Sequence, residues 1–287
     1  MAVIRGILTA GLFVAFTVVL MPVQLVFLWS GTRARSDFLP IYHRWLLRLV
    51  GIDVKVRGEL AQGPVLMASN HASWLDIPVL ASLSPLSFIA KLEVKSWPLF
   101  GQMAQLQRTV FVNRQRRSQT GNAKSEIEKR LEAGDKLVLF AEGTSSDGNS
   151  VLPFRTALFG AAALKLPGAG SGSLAPVAVQ PVSIAYVRLH GLPMGRFFRP
   201  DFAWYGDMSL APHLWGVFCA GPVDVTVTFH TPVSLDQFAD RKALARHCEA
   251  VVRAGVVSSL TGRALAPGDV NRPGAGIQEG SAIAPAV

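Results

Sequence analysis

Cysteine is scarce in this chain: Cys219 and Cys248 are the whole complement of 287 residues, which excludes a disulfide scaffold and agrees with a reducing compartment. Metal-ligand spacings are missing too. His43, His190, His213, His230 and His247 have neither a carboxylate at a useful spacing nor a ligand pattern around them, so they read as structural, and neither a metal nor a cofactor is expected. The Gly-x-Ser-x-Gly elbow of a serine hydrolase is also absent. Its nearest approximation, Gly170-Ser171-Gly172-Ser173, sits in a soft loop with no strand before it. Acidic residues are in deficit, 19 against 28 Lys and Arg, for a net charge of +9. Such a balance suits nucleic acid or an anionic membrane. No RNA-binding or DNA-binding signature accompanies the charge, so membrane lipid is the expected partner and nucleic acid is not.

What the chain has in quantity is hydrophobic sequence, 50% of its residues, with a mean hydropathy of +0.34. Much of it stands at the front. Ile7 to Trp29 is almost wholly apolar, interrupted by Thr9, Gly11, Thr17, Pro22 and Gln24, and is long enough to cross a bilayer of ~30 Å. A cleaved signal peptide would have a shorter apolar core and a small-residue cleavage site, whereas Trp29-Ser30-Gly31-Thr32-Arg33 follows here. An uncleaved anchor is expected, and Pro22 offers the alternative of a hairpin lying in one leaflet. Arg33, Arg35, Arg44 and Arg48 follow the apolar run against Arg5 before it, which puts the bulk of the chain on the cytoplasmic side of the inner membrane. Phe38, Ile41, Tyr42, Trp45, Leu46 and Leu49 then recur at helical spacing, as in an interfacial amphipathic helix or an ordinary core-facing one. The domain expectation is a membrane anchor over 1–35, a catalytic domain over 36–262 and a disordered tail over 263–287, where Pro, Gly and Ala dominate without periodicity.

Between these ends strands alternate with helices. Strands are expected at Ile52 to Arg57, Val65 to Ala68, Leu86 to Lys91, Thr109 to Asn113, Lys136 to Ala141, Ala175 to Tyr186 and Val223 to Phe229, with Pro181 marking an edge or a bulge. Helices are expected at Trp97 to Leu106, Phe154 to Leu164, Leu210 to Phe218 and Arg241 to Arg253, and a basic one carrying Arg116, Arg117, Lys124, Lys129 and Arg130. The fold class is α/β, a mixed and mostly parallel sheet flanked by helices.

The candidate site lies in Ser69-Asn70-His71-Ala72-Ser73-Trp74-Leu75-Asp76. A buried strand ends in a turn at His71, where open α/β sheets place their ligands. Asp76 falls near the start of the next helix and can turn back to hydrogen-bond one ring nitrogen of His71, leaving the other to accept a proton. This is the base and orienter of a triad without its serine, so the substrate would bring the hydroxyl. On this spacing alone, a turn histidine bonded to backbone competes with that reading. A non-catalytic binder of anionic lipid would explain the basic helix but gives His71 and Asp76 no role.

Four blocks in order, Asn70 to Asp76, Phe111-Val112-Asn113-Arg114, Phe140-Ala141-Glu142-Gly143-Thr144 and Val179-Gln180-Pro181-Val182, resemble the glycerolipid acyltransferase family typified by bacterial 1-acylglycerol-3-phosphate acyltransferase. The likeness covers roughly residues 40 to 255. It implies transfer of an acyl group from acyl-carrier protein or acyl-CoA to the free hydroxyl of a lysolipid acceptor, 1-acyl-sn-glycerol-3-phosphate, at a membrane. It implies catalytic roles for His71 and Asp76, and acceptor-binding roles for Asn70, Arg114, Glu142, Gly143, Thr144 and Ser145. The fourth block is implied to be acyl-binding wall or core. This chain departs from the family pattern at Arg108 for glycine, Asn113 for aspartate, Ala141 for proline and Ser145 for arginine. The last removes a bidentate phosphate contact, for which Arg114, Lys91, Arg108 or Arg155 would have to substitute. Alternatively the acceptor has no phosphomonoester. Glu142-Gly143-Thr144-Ser145-Ser146-Asp147-Gly148 and Trp204-Tyr205-Gly206-Asp207-Met208 are similar to the lyso-ornithine lipid acyltransferase branch.

Overall fold

The computed structural model describes residues 1–30, 34–97, 100–112, 117–167 and 174–263. In chain order its elements are α1 (Ala2–Ser30), α2 (Ala34–Val50), β1 (Ile52–Arg57), β2 (Val65–Ser69), α3 (Asp76–Ala81), β3 (Ser87–Lys91), α4 (Phe100–Leu106), β4 (Val110–Val112), α5 (Arg117–Glu132), β5 (Lys136–Phe140), β6 (Lys165–Pro167), β7 (Leu174–Pro176), β8 (Ala178–Leu189), β9 (Leu192–Pro193), α6 (Leu210–Ala220), β10 (Val223–Phe229) and α7 (Arg241–Thr261).

The main sheet runs β1-β10-β8-β2-β5-β3-β4, with β9 folded back onto β8. From β8 to β4 every neighbour is parallel, and β10 meets β8 antiparallel. The mixed, mostly parallel sheet follows from strands that are apolar on both faces. In β2, Val65 and Met67 face one core while Leu66 and Ala68 face the other, and β5 divides in the same way, with Val138 opposite Leu137 and Leu139. The first core is closed by α1, α2, α3 and α6 through Phe13, Leu46, Leu80 and Phe218. The second is closed by α7, α5 and a 3-10 turn through Leu244, Leu131 and Phe159.

Three expectations need correction. Pro181 is neither at an edge nor at a bulge: β8 is paired on both sides, and its register shift lies opposite Asp224 and Val225 instead. The main-chain carbonyl of Pro181 accepts from the His230 amide at 3.0 Å. The carbonyl of His230, which an ordinary residue at 181 would satisfy, takes the Nε2 of fully buried Gln180 at 2.9 Å. That side chain also donates to Glu59 and accepts from the Ala61 amide, so a glutamine replaces the missing donor. This block is core. Second, no hairpin forms at Pro22, because α1 continues through it. Third, Thr156–Ala163 is a 3-10 turn rather than an α-helix. The tail from 264, the loop at 168–173, Asn113, Arg114 and Arg116 lie outside the described residues.

Helix α1, the expected anchor, is docked on the protein from Arg5 to Gln24. Arg5 donates to the Val50 and Phe218 carbonyls, at the C-terminal ends of α2 and α6. Thr17 pairs with Tyr42 at 2.9 Å, and Gln24 reaches the Leu106 carbonyl. The buried stripe Gly6, Thr9, Phe13, Thr17 and Gln24 follows helical spacing. Hence polar interruptions of the apolar run lie on the packed face. Ile4, Leu8, Leu12, Val19 and Val26 on the other face are exposed.

Candidate active site

At the carboxyl end of β2 the chain turns sharply, and Asn70 fixes the turn. Its Nδ2 donates to the Ile184 carbonyl and its Oδ1 accepts from the Ile184 amide, so both ends of its side-chain amide are spent on β8. His71 follows with its ring stacked on Phe140, centroids 3.9 Å apart. Its Nδ1 lies 2.9 Å from Asp76 Oδ2.

Asp76 is fully buried at the start of α3. Oδ2 also accepts from the Ala72 amide at 2.7 Å and the Ser73 amide at 2.9 Å, and Oδ1 accepts from the Tyr186 hydroxyl at 2.7 Å. With Asp76 as the acceptor of this hydrogen bond, the His71 proton is on Nδ1, which leaves Nε2 as an acceptor. Neighbouring loops lock the turn further. The His71 carbonyl accepts from the Ser146 amide at 2.8 Å, and the Ala72 carbonyl from the Trp204 amide at 2.8 Å. Ser145 Oγ donates to the Trp204 carbonyl at 2.5 Å.

His71 opens onto a cavity of about 530 Å³, within the ~300–1,000 Å³ range of small-molecule sites. Its walls are mostly apolar: Phe13 of α1, Leu46 of α2, Ile77 and Pro78 of α3, Phe88, Phe140 and Met103. Polar groups gather toward His71 and the rim, where Gly143, Thr144, Ser145, Lys91, Glu93 and the edge-to-face pair Trp97 and Trp204 stand.

The residues expected at the site therefore divide. His71, Gly143, Thr144 and Ser145 line the cavity, with Asp76 directly behind His71. Asn70 and Glu142 point elsewhere. Glu142 is buried with neither carboxylate oxygen in a hydrogen bond of good geometry. Burial pushes its carboxyl up to about 8, outweighing the nearby His71 and Leu152 amides, so it is protonated at neutral pH. Arg114 lies outside the described residues. Of the other cations that could replace the missing arginine, Lys91 lines the cavity, Arg108 pairs with Asp135, and Arg155 donates to the Glu142 carbonyl. Arg108 has φ 58°, the left-handed backbone that explains a glycine at this position in the resembling pattern. Sequence reasoning missed Tyr186. Its signal is a hydroxyl-bearing aromatic within the mostly buried strand β8.

Comparison with known proteins agrees with this geometry. A family profile described as Acyltransferase matches residues 52–185. A lyso-ornithine lipid O-acyltransferase of Brucella abortus is 51% identical, over 91% of this chain and 97% of its own length. The chain belongs to the acyltransferase family. The lyso-ornithine lipid O-acyltransferase of Rhizobium meliloti is 44% identical to this acyltransferase over 91% of the chain and 88% of the relative. A 1-acyl-sn-glycerol-3-phosphate acyltransferase of Neisseria meningitidis is 34% identical over 74% of the chain and 78% of the relative. The crystal structure of the 1-acyl-sn-glycerophosphate acyltransferase PlsC from Thermotoga maritima superposes with a TM-score of 0.63 at 22% identity, over 92% of this chain and 99% of that one. The acyltransferase thus shares the fold of that protein.

Proposed function

We propose that this acyltransferase moves a fatty acyl group from a thioester, carried by acyl-carrier protein or CoA, to the free hydroxyl of lyso-ornithine lipid, with His71 as general base. The observation that carries the reading is His71, oriented by a four-donor Asp76, opening onto an apolar cavity. The hydroxyl proton passes to His71 Nε2 as the oxygen attacks the thioester carbonyl carbon. The carbonyl becomes a tetrahedral oxyanion, the C–S bond breaks, and the imidazolium returns its proton to the departing thiolate. The Thr144 and Ser145 amides bond to nothing else among the described residues and are the backbone donors at hand for the oxyanion. A thioester is already activated, so the protein needs no nucleophile of its own.

Two observations favour the ornithine head group over a phosphate. Ser145 stands where phosphate-acceptor relatives of the resembling pattern have arginine, and its Oγ is spent on the Trp204 carbonyl. The charged side chains at the cavity rim, Lys91 and Glu93, are one of each sign and without an ion pair among the described residues. Ornithine offers a carboxylate and an ammonium to match. The second reading, transfer to 1-acyl-sn-glycerol-3-phosphate to give phosphatidic acid, draws support from the Neisseria relative and from Lys91. Purified protein assayed with each acceptor, and with each thioester donor, decides between them. His71→Ala should lower the rate by roughly 10²–10⁴-fold in protein that still folds and inserts. Retained activity would refute the base.

The helix α1 is long and apolar enough to cross a bilayer, yet it is held to the domain from Arg5 to Gln24. A helix held in that way cannot cross without peeling off the fold. It is accordingly proposed to lie in one leaflet of the inner membrane, with the catalytic body on the cytoplasmic side, as the arginine distribution supports.

A further inference from the structure

Beyond α1 the surface carries another apolar feature, on the turn that follows β9. Phe197 is 83% exposed and Phe198 50%, and Leu192 at the tip of the β8–β9 hairpin is 72% exposed. The two phenyl rings meet edge to face at 5.3 Å. Their backbone is fixed: His190 and Gly191, both at positive φ, close the hairpin, and the Met194 amide donates to the Val187 carbonyl. Arg199 is buried and donates to Asn149 Oδ1 and the Met194 carbonyl. Apolar rings that a rigid backbone holds in water mark an interaction surface.

Position and charge identify its partner. Helix α6, which carries half-exposed Trp215, packs against both α1 and the Arg199–Asp201 turn, so packed elements join the rings to the apolar front helix. Trp204, just beyond that turn, stands on the cavity rim. Arg196 is exposed next to the rings in the chain, and exposed Arg188, paired with Asp224 at 3.8 Å, lies on the same hairpin. Aromatic rings flanked by arginines suit the boundary between acyl chains and anionic head groups. We propose that the Leu192–Arg199 turn is a second membrane contact, in which Phe197 and Phe198 enter the interface of an anionic bilayer and hold the cavity rim against it. This rests on the reading of α1 as a membrane-embedded helix.

The test uses the full chain in phosphatidylcholine vesicles containing phosphatidylglycerol. Phe197→Cys, in a Cys219→Ser background that leaves only buried Cys248, carries a polarity-sensitive fluorophore. Val18→Cys on the exposed face of α1 carries the same reporter as a reference. Both fluorophores should be quenched by lipids brominated in the upper acyl chain and shielded from aqueous iodide. The Phe197 signal alone should weaken when phosphatidylglycerol is omitted or Arg196→Glu is added. If Val18 is quenched by lipid while Phe197 is quenched by iodide, the second contact is overturned and the anchor stands. Shielding of Phe197 only on addition of acyl-carrier protein also overturns it, in favour of a protein partner. If neither position meets lipid, the anchor reading fails and takes the proposal with it. As an independent measure, Phe197→Ser with Phe198→Ser should raise the apparent KM for vesicle-borne lysolipid roughly tenfold or more, as the lost burial of even one phenyl ring predicts, with kcat and thermal midpoint unchanged. An unmoved KM would contradict the proposal.

Discussion

Tyr186→Phe removes one oxygen from the cradle of Asp76 and leaves the ring, which is 2% exposed, where it packs. The lost bond is 2.7 Å long and ends on a buried carboxylate. A hydrogen bond to a charged group contributes about 1.5–3 kcal/mol. Asp76 keeps its bonds from His71, Ala72 and Ser73, so the low end applies. About 1.5 kcal/mol reaching the transition state lowers kcat roughly tenfold. KM should hold, because Tyr186 lies behind Asp76 and does not line the cavity. The assay is acyl transfer to lyso-ornithine lipid by protein checked for its folded fraction, beside a thermal melt. A tyrosine with only a structural role would lower the thermal midpoint and leave kcat per folded molecule intact. That outcome would refute the orienting role.

Other consequences of the same geometry are open to measurement. Glu142, protonated up to about pH 8 in the fold against 4.5 for an ordinary glutamate, binds its proton more tightly when folded. Stability should therefore fall as pH rises between those values, by up to ~1.4 kcal/mol per pH unit, and Glu142→Gln should flatten that decline in denaturant titrations. Gln180→Ala strips partners from the Glu59 and His230 carbonyls and the Ala61 amide and should cost about 2–4 kcal/mol in chemical denaturation. Ser145→Arg breaks the latch to Trp204 and adds a guanidinium at the rim. The ratio of kcat/KM between 1-acyl-sn-glycerol-3-phosphate and lyso-ornithine lipid should rise roughly tenfold, the scale of a newly made charged hydrogen bond.

Much of the fold was legible in the sequence because its strands are short apolar runs between glycines and polar turns. β10 begins and ends at the expected residues, and β2 differs by one residue. The pairing of His71 with Asp76 was legible for a related reason, since a local turn brings those two side chains together. Tyr186 was not, because it reaches Asp76 across a separation of 110 residues and only the β2–β8 register brings the two strands together. The directions in which Asn70 and Glu142 point were not legible, for another reason. A motif shows which residues share a turn but not which side chains face the cavity, and here one bonds to β8 while the other is buried behind His71. Pro181 misled because the donor replacing its missing amide is the neighbouring side chain, a substitution that pattern rules for strands do not count.

The polar interruptions of the apolar front segment acquire a meaning only once the helix is seen docked. Thr9, Thr17 and Gln24 are spaced to fall on one stripe with Phe13, and Phe13 is itself part of the cavity wall. The segment is thus a wall of the site as well as the proposed anchor. If α1 lies in one leaflet, as proposed, a lysolipid of that leaflet could pass its tail into the cavity's apolar lining beside the helix. A head group too polar to follow stays at the rim with Lys91, Glu93 and Ser145, and the hydroxyl between head and tail is the part left beside His71. On this reading, placing the helix against the site does for the acceptor what a covalent nucleophile does elsewhere: it fixes the attacking oxygen before the chemistry begins.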